Sequence, residues 1–137
     1  MTRDRAVLGV ATVGMALPYL ARLPGCVLKG SNWLGQYLDA GLQGALLVEG
    51  FNLFAVLAAI GVTALLHRRG VWILPVLAGY GFLAYAHGTL DLRSDAQAAV
   101  ALVFIPLFSL PFFAVGATLG AVARWAIDVE ARERGAK

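Results

Sequence analysis

Glu49 is the one acidic residue within the long apolar run Leu42 to Leu66, and any chemistry inside that run has to pass through it. An ionisable side chain in hydrocarbon is costly and is a functional-site hypothesis by default. At 1.5 Å per helical residue Glu49 sits about 10 Å below the start of the run. Asn52 follows at i+3 on the same helical face. Thr63, about three turns further on, extends that stripe. Such a face can line a polar cavity or a proton path. It can equally hold helices together, with Glu49 neutral or internally paired and Asn52 as interhelical glue worth about 0.6 kcal/mol.

His87 ends a neighbouring apolar run at a depth similar to that of Glu49, which makes it the expected partner. A Glu–His pair would titrate near neutrality and could sense pH or shuttle a proton. His67 belongs to the His67-Arg68-Arg69 turn at the opposite end, where a basic residue caps a helix C-terminus. The two histidines therefore cannot share a haem or a metal. Cys26 is the single cysteine, which excludes an internal disulfide and a dithiol redox pair. The sequence offers no nucleophile with a base and no paired intramembrane carboxylates. The expectation is a protein without catalytic residues, metal or cofactor.

The elements that hold these residues follow from composition. The chain has 137 residues, 60% hydrophobic and 14% charged, with a mean hydropathy of +0.77. Soluble domains are about 45–50% apolar and about 25% charged, and a chain this short has much surface to cover. A soluble enzyme, a disordered chain and a nucleic-acid module are thereby excluded; the expected surroundings are a lipid bilayer. A crossing helix needs about 20 mainly apolar residues, within about 17–25. The predicted spans are about 6–22, 42–66, 71–87 and 98–123, followed by a tail over 124–137. Pro18 falls near the end of the first, Pro75 in the first turn of the third, and Pro106 and Pro111 inside the fourth. Lipid demands that every backbone group find an internal partner, so the fold class is all-α, a polytopic four-transmembrane-helix bundle.

Basic residues orient it. Arg3, Arg5, Arg68, Arg69, Arg124, Arg132, Arg134 and Lys137 fall on one side, and Arg22, Lys29 and Arg93 on the other. The positive-inside rule then places both termini in the cytoplasm of a bacterial-type inner membrane. The net charge of +3 thus records topology rather than an acidic ligand. Among the acids, Asp39, Asp91 and Asp95 fall on the outer side. Trp72 and Trp125 fall at the inner interface, where aromatic belts anchor helices. In the tail, Asp128 with Arg132 and Glu130 with Arg134 have the four-residue helical spacing.

The outer segment from Arg22 to Gly41 is longer than a usual helix connection. Leu23-Pro24-Gly25-Cys26 has the outline of a lipoprotein cleavage box, but Pro24 occupies a small-residue position and Arg22 interrupts the apolar region. An uncleaved first helix is expected. Ser31 or Asn32 can cap a short helix whose Trp33, Leu34, Tyr37 and Leu38 share one face. That face suits the outer interface, or a partner, since Trp and Tyr are favoured contact residues. Ala55 with Ala59, and Gly116 with Gly120, are small-residue pairs that let helices approach, within one bundle or in a homodimer.

In size and topology the chain is similar to the small polytopic immunity proteins of pore-forming bacteriocins and effectors. That resemblance implies a non-catalytic partner-binding protein that neutralises a membrane-inserting toxin; an accessory subunit bound to another membrane protein has the same outline. Small multidrug transporters also have four helices and a buried glutamate, carried in their first span, whereas Glu49 is in the second. Gly116 to Trp125 looks like a glycine-rich, arginine-ending segment of fluoride channels, which lies near the N-terminus in that family. The alternative function is a small proton-coupled transporter or channel using Glu49.

Overall fold

Prolines and glycines set the element boundaries. In the computed structural model, which describes residues 1–67, 70–94 and 97–135, α1 spans Arg3–Leu20, α2 Leu23–Lys29, α3 Asn32–Leu38, α4 Gly41–Leu66, α5 Ile73–Thr89 and α6 Ala98–Gly135. Pro18 lies inside α1 without ending it. The helix stops two residues later, and Pro24 sits in the first turn of α2, where its missing N–H costs nothing. Gly30 and Gly41, with φ of 90° and 58°, make the turns into α3 and α4 that an L side chain would strain. Among the described residues there is no strand. Arg68, Arg69, Asp95 and Lys137, used above for orientation, lie outside the described residues.

Among the described residues, three helical stretches are long and apolar enough to cross a membrane: Arg3–Lys29, Gly41–Leu66 and Ala98–Arg134. The helix expected as a further span, α5, has 17 residues and falls at the short limit of crossing length. It nevertheless packs along its neighbours over its whole length. Gly116 and Gly120 of α6 meet Pro75 and Val71 at one end of α5, Phe113 lies over Gly79, and Gly88 lies on the Ala21 carbonyl at the other end. Helix α4 packs against α1 and α6, and α5 against α6 and α1.

The buried face of α4 consists of Val48, Asn52, Ala55, Val56, Ala59 and Thr63, a repeat of three and four residues. Ala55 and Ala59 sit in a core with Val10, Tyr80, Leu83, Ile105 and Phe113. The Gly116–Gly120 pair is occupied by contacts within the chain: a Cβ at Gly116 would lie 2.8 Å from the Leu74 carbonyl oxygen. Helix α6 is continuous through Pro106 and Pro111 and runs on into the expected tail. There Glu130 pairs with Arg134, as its spacing predicts, whereas Asp128 pairs with Arg124, one turn before it, at 3.1 Å, rather than with Arg132.

Candidate functional site

Helix α1 brings a defect to the core that α4 repairs. Proline has no N–H, so Pro18 leaves the Gly14 carbonyl without its i+4 donor. Asn52 Nδ2 donates to that oxygen at 2.9 Å. Gly14 permits the approach, because a Cβ there would collide with the Tyr80 hydroxyl and Val56. One turn earlier the Tyr80 hydroxyl donates to the Val10 carbonyl at 2.8 Å, tying α5 to the same stretch of α1. Asn52 Nδ2 also reaches Glu49 Oε2 at 3.4 Å, so the predicted shared face exists. Glu49 itself is half-buried beside Tyr19.

A second polar cluster closes the end of the bundle away from the N-terminus, and its centre is Arg22. This guanidinium is fully buried. A buried charge is costly unless its donors are satisfied, and four oxygens accept from this one. Nε donates to the Trp33 carbonyl at 2.7 Å, one terminal nitrogen to the carbonyls of His87 at 3.0 Å and Leu90 at 2.8 Å, and the other to Gln36 Oε1 at 2.9 Å. The His87 and Leu90 carbonyls belong to the C-terminal end of α5, where the helix dipole favours a cation. The Trp33 and Tyr37 rings lie 4.6 and 4.1 Å from the guanidinium carbon, in reach of a cation–π contact. Gln36 Nε2 donates onward to Asp91 Oδ1 at 2.9 Å, so the nearest bonded carboxylate is one amide removed.

Tyr37 joins the two clusters. Its hydroxyl and His87 Nδ1 share a 2.8 Å hydrogen bond, and its ring meets that of Tyr19 edge-on at 6.4 Å. Burial pushes the Tyr37 hydroxyl up to about 12, against the pull of the Arg22 charge. It is therefore neutral at physiological pH.

No protein-family model, curated protein sequence or solved structure matches the chain.

The expected Glu49–His87 pair is replaced by other partners. His87 bonds Tyr37 and lies beside Arg22, whereas Glu49 bonds Asn52 and lies beside Tyr19. The short helix predicted around Trp33 exists as α3, but Ser31 at its N-cap makes no side-chain capping bond. Trp33 and Tyr37 are 3% and 1% exposed, turned onto Arg22 rather than outward. Leu34 is half-buried and Leu38 is exposed. Thr63 is buried on the Asn52 face, as its spacing predicts. His67 caps α4 and packs its ring 6.0 Å from that of Trp72. Among the described residues, no group of three metal-ligating side chains occurs.

Arg22 is the residue the sequence reading missed. Read as an outer-side charge that interrupts the first apolar region, it is the hub of that end. The available signal was its place directly after the first apolar run and before an aromatic segment. The pairing of Asn52 with Gly14 had a clearer signal in the Gly14-x-x-x-Pro18 spacing.

Proposed function

We propose that this chain is a multi-pass protein of a bacterial-type inner (cytoplasmic) membrane, with α1, α4, α5 and α6 all crossing and both termini cytoplasmic. In that membrane it acts without catalysis, by holding a membrane-embedded partner. The observation that carries this reading is the inversion of ordinary burial. Arg22, Asn52, Thr63, His87 and Ser109 are inside, while Leu8, Leu46, Phe54, Leu77, Phe108 and Leu119 are exposed. Water would penalise that outer surface, and lipid does not.

The partner-binding role is supported by what the interior polar groups already do. Arg22 closes the end of α5, Asn52 repairs α1, and Tyr80 ties α5 to α1. The surfaces left for recognition are apolar helix faces, such as the ridge of Phe104 and Phe108 on α6, whose rings stack 6.0 Å apart. In lipid, such faces associate by close packing. The specific form proposed is an immunity protein that captures the inserted helices of a toxin, or an accessory subunit of a membrane complex. Co-expression with a membrane-inserting toxin encoded in the adjacent reading frame tests the first form. Survival that depends on this chain supports it; equal killing with and without the chain rejects it.

Glu49 supports a second reading, a proton-coupled transporter or channel. Among the described residues its carboxylate has no basic partner, and it lies half-buried between Asn52 and Tyr19. A proton flux in vesicles that Glu49→Gln abolishes would favour it over partner binding.

A further inference from the structure

Between α1 and α5, at the end of the bundle that holds the N-terminus, runs an apolar groove of about 220 Å³. Ala6, Val10 and Tyr80 are its buried floor, and Val13, Val76 and Trp72 its walls. Gly9 borders it and is exposed, with open space where a Cβ would stand. From Arg5 to Val13 the groove follows α1 for about 12 Å. Met1 and Arg5 lie at its N-terminal mouth. Arg5 is exposed there, and among the described residues no carboxylate pairs with it, whereas its neighbour Arg3 is engaged with Asp4 at 3.5 Å.

We propose that this groove is a binding site for an anionic phospholipid, with an acyl chain along Gly9 and the lipid phosphate on Arg5. The combination selects the ligand: an apolar slot open along its side takes a hydrocarbon chain, and an unpaired guanidinium at its mouth favours a phosphate whose headgroup carries no compensating cation. Trp72 stands beside that mouth with an amphipathic ring suited to the headgroup level. The site rests on the membrane reading proposed above and adds a lipid class and a position to it.

Native mass spectrometry of the full chain in mild detergent, with equal amounts of phosphatidylglycerol and phosphatidylcholine, tests the site. Wild type is expected to retain phosphatidylglycerol preferentially. Arg5→Gln is expected to reduce that retention about fivefold, to the level of phosphatidylcholine. Gly9→Leu fills the slot and is expected to reduce retention of both lipids. Arg132→Gln removes the same charge from the tail and leaves the preference intact. Equal retention by wild type, Arg5→Gln and Gly9→Leu contradicts the site, as does a loss from Gly9→Leu alone. Carbonate extraction of the same membranes tests the underlying reading separately. Wild type that stays in the membrane without lipid preference overturns the site alone; wild type released by carbonate overturns the membrane reading and the site with it.

Discussion

Asn52 donates to the carbonyl oxygen of Gly14 at 2.9 Å, the oxygen that Pro18 leaves without a helical donor. A break in one helix is thus repaired by a side chain of another, and α1 is fixed against α4 at that level.

This relationship predicts a non-additive mutational cycle. Asn52→Ala should lower stability by about 1 kcal/mol, because the Gly14 carbonyl is orphaned in a dry interior. Pro18→Ala restores an N–H at the i+4 position, so Asn52→Ala should cost less than half as much in that background. Unfolding of the four proteins in the same detergent measures the coupling, and strictly additive losses would disprove the repair.

Arg22 should tolerate neither an apolar nor a lysine replacement. Arg22→Met leaves the carbonyls of Trp33, His87 and Leu90 without this donor and is expected to cost about 2–4 kcal/mol. Arg22→Lys keeps the charge but lacks the planar fork, so it should recover only part of the loss. Denaturant midpoints would show the order wild type, Lys, Met; a lysine variant as stable as wild type would mean that charge alone matters.

Glycine positions divide by what faces them. Gly116→Ala drives a methyl group into the Leu74–Pro75 backbone and should destabilise by about 1–3 kcal/mol. Gly81, in the same bundle, faces open space, so Gly81→Ala should stabilise by about 0.4–1 kcal/mol through reduced unfolded-state freedom. Thermal melts in micelles distinguish the two, and equal effects would contradict the close approach of α5 and α6.

Tyr37 predicts a pH dependence with a defined sign. Its hydroxyl is raised from an ordinary value of 10.0 to about 12, so folding favours the protonated form. The stability it contributes is complete below pH 10 and is lost as pH rises toward 12. The difference in unfolding midpoint between wild type and Tyr37→Phe should be flat below pH 10 and shrink above it. A constant difference up to pH 12 would refute the assignment.

Much of the fold was legible because hydropathy and proline placement act locally. The α4 span and its Asn52–Thr63 face, the start of α6 and the Gly116–Gly120 approach follow from periodicity alone. The polar site was less legible because its partners are set by tertiary contact. Equal depth suggested Glu49 with His87, yet Tyr19 and Tyr37 take the places beside them. Trp33 and Tyr37 read as an outward aromatic face because the sequence did not reveal a buried cation for them to cover. Arg22 supplies it, and the helix turns inward to stack on that charge.

The proposed topology depends on α5 crossing with the other helices, so that both termini share one side. Sided cysteine labelling tests this directly. In a Cys26→Ser background, Thr2→Cys, Val27→Cys and Arg132→Cys are each treated in intact cells with a membrane-impermeant maleimide. Labelling is expected at position 27 in intact cells, and at positions 2 and 132 only after permeabilisation. Labelling of positions 2 and 132 from opposite sides of the membrane would contradict it.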